Sequence, residues 1–220
     1  MCSFPDSGAE FVAFFFRPRR ITLFQKGAHL APSPRTRSDR RARRTRLALQ
    51  NALHSLLTED GWDGINVQKL CERADVGRST FYLHFQNKEE LLASGLTDLR
   101  NSLRERASAG APGTLPFARL LIELIHEQHK LFRAVIGGRS GHIVRTRFRE
   151  LVAQLIEEDI SYVAAAGWRR DGGVRYIAGA LVELLAWWIE AGERQAPDEI
   201  ERHFRQLTAP VIEQLGRMQR

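Results

Sequence analysis

At 220 residues, with 43% apolar and 27% charged side chains, the chain suits one sizeable domain or two small ones around an ordinary buried core. No run reaches the roughly 18 to 20 continuous apolar residues of a membrane helix, and two cysteines, Cys2 and Cys71, are too few for a disulfide framework. The net charge of +7 sits at one end: residues 1–46 hold eleven Lys and Arg against three Asp and Glu, or +8, leaving −1 for the other 174 residues. A basic arm on a near-neutral body suits a polyanion, because Lys and Arg neutralising phosphates supply the sequence-independent part of nucleic-acid affinity. An anionic membrane surface can use the same charge.

Residues 1–38 show neither helical nor strand period and are dense in Pro, Arg and Ser, so a disordered basic arm is expected there. The apolar run at 11–16 is not expected to be a secretory signal. Asp6 and Glu10 precede it, arginines follow it, and its six or so residues fall short of the roughly 7 to 15 required. The expected setting is a reducing, bacterial-type cytoplasm.

From Asp39 onward the pattern is helical, with no convincing alternating strand. Leu49, Ala52, Leu53, Leu56 and Leu57 form one amphipathic stripe, ended by Gly61. Arg40, Arg41, Arg43 and Arg44, read as preceding this helix, can reach a phosphate backbone or minor groove. Asn66 is placed to cap a short helix over about Val67 to Arg73. A tight turn at Asp75-Val76-Gly77 leads into a second short helix from Arg78. Asn87 and Glu90 then stand at capping-box spacing before a long helix whose stripe is Leu92, Leu96, Leu99 and Leu103. Two short helices joined by a tight turn make a helix-turn-helix, whose second helix enters the major groove.

Further stripes run through Phe117, Leu120, Leu121, Leu124 and Ile125, then Phe148, Leu151, Val152, Leu155 and Ile156 before Gly167. A nearly all-apolar helix covers Val174 to Trp188, ending near Gly192. Ile200, Phe204, Leu207, Val211 and Leu215 mark the last one, which Pro210 is expected to kink or break. The chain is therefore all-α.

The run Ala74-Asp75-Val76-Gly77-Arg78-Ser79-Thr80-Phe81-Tyr82-Leu83-His84-Phe85, followed by Asn87-Lys88-Glu89-Glu90-Leu91, resembles the hallmark of the tetracycline-repressor (TetR) family of bacterial regulators. The resemblance covers about residues 40–92. Asp75 stands where the family commonly has Gly, and Gly77 where it commonly has Ser. Asp tolerates a left-handed turn better than most residues, and Gly is an acceptable N-cap that gives up a side-chain hydrogen bond.

The resemblance implies a three-helix DNA-binding domain at 39–90 and a helical effector-binding and dimerisation domain at 91–220. Within the first, Arg78 is the candidate base reader, since Arg bridges guanine O6 and N7. Ser79 and Thr80 stand with it at the helix start. Tyr82, His84 and Lys88 are candidates for phosphate or sugar contacts, joined by Arg43, Arg44 and Asn66, while Phe81 and Phe85 pack inward. The segments 131–138, 184–192 and 197–199 are similar to the C-terminal domain of a branch related to dihydroxyacetone-kinase regulators.

For an effector pocket the candidates are His126, Phe132, Phe148, Tyr162 and Tyr176. The last two long helices, about 174–191 and 197–218, are those the resemblance implies for homodimerisation, with Leu181, Leu184, Trp188, Phe204, Leu207 and Val211 as candidate interface residues. His126 and His129 lie three apart but lack a third ligand, so no metal and no cofactor is expected. There is no phosphate-binding glycine loop, zinc-protease pair or nucleophile elbow to suggest an enzyme. The implied partners are a double-stranded DNA operator, a second copy of the chain and a small-molecule effector. A protein co-regulator is the alternative signal.

Overall fold

The computed structural model describes residues 37–108, 115–136, 142–161, 166–192 and 194–217. The expected arm up to residue 36, and Tyr162, lie outside them. Among the described residues there are nine helices and no strand: α1 Arg37–Glu59, α2 Val67–Ala74, α3 Arg78–Tyr82, α4 Lys88–Ser108, α5 Pro116–Glu127, α6 His129–Ile136, α7 His142–Ile160, α8 Trp168–Glu190 and α9 Pro197–Arg217.

Helix α1 starts earlier than its apolar stripe. Arg40, Arg41, Arg43 and Arg44 lie within it, not before it. Arginine is a good helix former, and Asp39 in the first turn complements the helix dipole there. Gly61, at φ +69°, turns the chain after α1. Leu49, Leu53, Leu56, Trp62, Ile65, Leu70, Phe81, Phe85 and Leu91 are buried together and hold α1, α2, α3 and the start of α4 as one unit.

The remaining helices form a bundle continuous with that core. Helices α7 and α8 pack most extensively, α5 lies against α4 and α9, and α6 fills the space between α7, α8 and α1. Helix α8 is long and apolar enough to cross a membrane by composition, but half of that stretch is buried inside the bundle. Its hydropathy has an explanation in packing. Nine of its side chains, from Val174 to Ile189, sit in the core.

One local expectation is corrected, and one helix end is unannounced by the sequence. Pro210 does not break α9, which runs on to Arg217. Proline removes one backbone donor and frees the carbonyl four residues back; that carbonyl belongs to Gln206, which like Pro210 is exposed, so water can satisfy it. Conversely, α5 ends at Gln128 with neither Gly nor Pro to mark it. The Gln128 N–H still reaches the Leu124 carbonyl at 2.9 Å before α6 begins at His129.

Candidate nucleic-acid interface and interior cavity

The caps that define the helix-turn-helix are formed by side chains and backbone strain together. Asn66 Oδ1 accepts from the Lys69 N–H at 2.9 Å, closing the first turn of α2. Asp75 ends the helix in the left-handed region, at φ 52° and ψ 50°. The following Val76 N–H donates to the Cys71 carbonyl at 3.0 Å, so orphan carbonyls of α2 are satisfied. Gly77 is the N-cap of α3 with no side-chain cap bond, at an ordinary extended φ of −70°. At the head of α4, Asn87 Oδ1 accepts from the Glu90 N–H at 2.8 Å. Glu90 in return accepts from the Gln86 N–H at 2.6 Å, one residue before the usual box partner.

Helix α3 is five residues long and anchored by one side chain, Phe81, which is fully buried. Phe85 is buried one turn on, beneath the Arg46 guanidinium, which lies 5.4 Å from its ring centre. With these two phenylalanines inward, Arg78, Ser79 and Tyr82 face solvent, Tyr82 set edge-on against Phe81 at 5.5 Å. Thr80 and His84 are half-buried, and Arg43 and Arg44 are exposed on α1. Asn66 is exposed too, but its carboxamide oxygen is committed to the cap.

Two residues escaped the sequence reading. Gln68 accepts from Arg78 Nη2 at 2.7 Å and so holds the base-reader candidate across the turn. Leu83 is 83% exposed, the most open large apolar side chain of the described residues, directly after Tyr82. The inward pair Phe81 and Phe85 does leave Leu83 on the opposite side, a signal present in the spacing.

Lys88 is placed differently from expectation. Its ammonium donates to the Ile65 carbonyl at 2.9 Å and the Trp62 carbonyl at 3.1 Å, and lies 4.4 Å from the Trp62 ring centre. It therefore ties α4 to the loop before α2, where the Ile65 carbonyl accepts from it and the Trp62 carbonyl accepts both from it and from the Ile65 N–H at 3.2 Å.

The helix-turn-helix unit is mounted on the bundle through α1 and α4. Arg46 Nη2 donates to Ser94 Oγ at 3.0 Å, and the buried Gln50 Nε2 donates to Asp98 Oδ2 at 2.7 Å. Farther along α4, Arg100 and Arg104 pair with Glu158 of α7, and Arg104 also holds Asp159 at 2.6 Å. Burial raises the proton affinity of Asp159, and Arg104 partly offsets that.

Between these mounts lies a pocket of about 140 Å³, partly open to solvent. Its walls come from α1 (Gln50, Leu53, His54, Leu57), from α4 and from α5, α6 and α7. Phe132 and Phe148 line it as an edge-to-face pair at 5.7 Å. His126 and Tyr176 do not. His126 is exposed and stacked on the Trp188 ring at 5.8 Å, and Tyr176, 62% exposed, stands on the outer face of α8.

The candidate dimer residues also divide. Leu181, Trp188 and Phe204 are buried inside the protomer, Trp188 donating from Nε1 to the Gln195 carbonyl at 3.1 Å. Leu184 and Val211 are half-buried, and only Leu207, at 61%, is open. Trp187, one residue from the expected anchor, is 53% exposed on the same face as Tyr176. Among the described residues no cluster of three or more metal-ligating side chains occurs.

The comparisons with known proteins agree with this architecture. The profile described as bacterial regulatory proteins, tetR family, matches residues 50–94, and that of a transcriptional regulator C-terminal region matches residues 114–209. The chain is 31% identical over 153 residues to the tetracycline repressor protein class G of Vibrio anguillarum, covering 65% of this chain and 69% of that one. An uncharacterised HTH-type transcriptional regulator of Bacillus subtilis, YxbF, is 24% identical over 185 residues. That match covers 77% of this chain but 46% of the relative's length, so the chain spans about half of it.

Among solved structures, a TetR transcriptional regulator from Streptococcus agalactiae superposes with a TM-score of 0.61 at 22% identity, covering 78% of this chain and 97% of that one. The dihydroxyacetone kinase operon activator DhaS superposes at 0.52 with 18% identity over 78% and 97% of the two chains, a likeness of fold. The fold is a helix-turn-helix unit joined to a helical bundle. The chain belongs to the TetR family.

Proposed function

We propose that the chain is a sequence-specific DNA-binding regulator that acts as a homodimer on an inverted-repeat operator, as a repressor released by a small molecule. The observation that carries this is the α3 surface. Arg78 stands exposed at the helix start, held by Gln68, with Ser79, Tyr82 and Leu83 beside it. One such helix reads only a few base pairs, and two related by a two-fold axis read half-sites about 34–36 Å apart. The exposed Tyr176, Trp187 and Leu207 on α8 and α9 support pairing of those helices with their symmetry mates. The cavity against Phe132 and Phe148 supports control by a small molecule. A cytoplasmic setting follows from such a role.

Selection of bound duplexes from a random DNA pool tests the reading. An inverted repeat should be enriched, and the selected site should outcompete random duplex at fixed salt. Absence of binding by the full chain at low salt would sink the assignment.

A further inference from the structure

We propose that Leu83 is a second specificity-determining residue of this chain, and that it selects thymine by packing on the C5 methyl group in the major groove. The inference rests on the reading of the chain as a sequence-specific DNA binder, and names a base that the α3 surface requires.

Placement is the first argument. Phe81 and Phe85 are buried and fix the inward side of α3 and of the turn that follows it. Leu83 keeps right-handed helical angles, φ −71° and ψ −20°, and its N–H donates to the Ser79 carbonyl at 3.1 Å, so it continues the helix past Tyr82. At about 100° per residue, the direction opposite the two phenylalanines falls on Leu83, with Ser79 one turn before it. Exposure agrees. Leu83 is 83% open and Ser79 is exposed, while Thr80 and His84 on the flank are half-buried. The middle of the outward face of the reading helix is therefore aliphatic at its C-terminal end.

Chemistry is the second argument. A lone exposed leucine is ordinary on a protein surface; this one is informative because of where it stands and what it lacks. Arg78, Ser79, Gln86 and Asn87, before and after it in the chain, are exposed and polar. Apart from the Tyr82 ring, no apolar patch extends from Leu83 of the kind that marks a protein partner. Leucine has no donor or acceptor to offer a phosphate. On the major-groove edges the bases present hydrogen-bonding groups with one exception, the C5 methyl of thymine. Against guanine, adenine or cytosine, Leu83 would displace water from a polar edge and return no hydrogen bond. Against thymine it buries methyl on methyl. One side chain thus supplies both an attraction to the right base and a penalty for the others.

Register follows from the helix rise. Leu83 comes five residues after Arg78, or about 7.5 Å along the axis, and base pairs are spaced about 3.4 Å apart. The thymine therefore lies within about two or three base pairs of the guanine assigned to Arg78.

The test uses the full chain and the operator selected from the random pool, with deoxyuridine replacing thymidine one position at a time. That change removes the methyl and leaves every hydrogen-bonding group in place. Uracil at one position per half-site should weaken parent binding about 3- to 5-fold, the scale of one buried methyl-sized group, and about 10- to 20-fold with both half-sites changed. Leu83→Ala should bind the thymine operator at least as weakly as the parent binds the uracil one, and should no longer respond to uracil there. 5-Methylcytosine at that position should be preferred to cytosine by the parent and not by the variant. Because Leu83 is open to solvent, the variant should keep the melting temperature and helical content of the parent.

Tolerance of uracil at every position by the parent overturns the proposal, as does a uracil response that survives in Leu83→Ala. A loss in Leu83→Ala shared equally by operator and random duplex also overturns it, and assigns the side chain to the sugar-phosphate backbone. No loss on any duplex overturns it in favour of a protein partner. In each of these cases operator binding by the parent leaves the regulator reading standing. A parent that binds no duplex at low salt removes that reading and this proposal together.

Discussion

The guanidinium of Arg78 is held from the helix before it: Nη2 donates to Gln68 Oε1 at 2.7 Å, while Gln68 Nε2 donates to Glu72 at 2.8 Å. The base-reader candidate thus has its orientation restricted before any DNA arrives. Arg78→Ala should cost about 1 to 3 kcal/mol of discrimination, or 5- to 150-fold, on the selected operator and much less on random duplex. Gln68→Ala should give a smaller loss of the same kind, because it frees the guanidinium without removing it. Competition binding at fixed salt measures both. An unchanged operator preference in Arg78→Ala would refute base reading.

Lys88 discriminates between a phosphate contact and a structural strut. With its ammonium on the Trp62 and Ile65 carbonyls, Lys88→Ala should lower stability by about 1 to 3 kcal/mol, the scale of hydrogen bonds to a charged group. The salt dependence of DNA binding should stay nearly as steep as in the parent. A slope reduced by about one unit with unaltered stability would restore the phosphate role.

The dimer face is tested by neighbouring tryptophans. Trp188→Glu places a charge inside the protomer, where the indole is fully buried and bonded to Gln195, and should destabilise the fold by at least about 3 kcal/mol. Trp187→Glu and Leu207→Glu alter exposed positions. They should release monomers with the helical content unchanged, read by light scattering and circular dichroism. Dimers that survive both exposed changes would place the interface elsewhere.

Stability should fall under mild acid because of His54. Burial lowers the proton affinity of its imidazole in the folded chain, so below about 6.5 the unfolded chain binds a proton that the folded one does not. The free energy of unfolding therefore decreases as pH drops through that value. Asp159, whose value is raised by burial, acts with the opposite sign and nearer the carboxylate range. Urea unfolding at pH 7.5 and 5.5 should show a smaller loss for His54→Gln than for the parent. Equal losses would reject the assignment to His54.

The helix-turn-helix was legible because its determinants are local. Asn66, Asp75, Asn87 and Glu90 each act within four residues, and Phe81 and Phe85 define an inward face over a single turn. The bundle follows a different logic. Helix α8 is apolar on most of its circumference, so its periodicity does not distinguish Trp187 from Trp188, and one residue is a 100° rotation. Tyr176 is likewise plausible on either side of such a helix. The cavity is assembled from five helices between Gln50 and Phe148; no local spacing encodes a space that exists only once distant stripes meet. The α5–α6 break at Gln128 has no marker residue because packing against two different neighbours, not a turn signal, redirects the chain.

The ion pairs that bind Arg100 and Arg104 to α7 give α4 the mechanics of a lever with a fixed fulcrum. Its 21 residues span about 31 Å at 1.5 Å per residue, with the clamp toward one end and Lys88, beside the reading head, at the other. About that pivot, a tilt of roughly 4° carries the far end through about 2 Å, comparable to the helix shifts that switch other proteins. In the two-fold assembly proposed above, the same tilt in both copies would change the separation of the two α3 helices by up to twice that amount. Against a half-site spacing of about 34 Å, a change of that size would weaken simultaneous engagement of both half-sites.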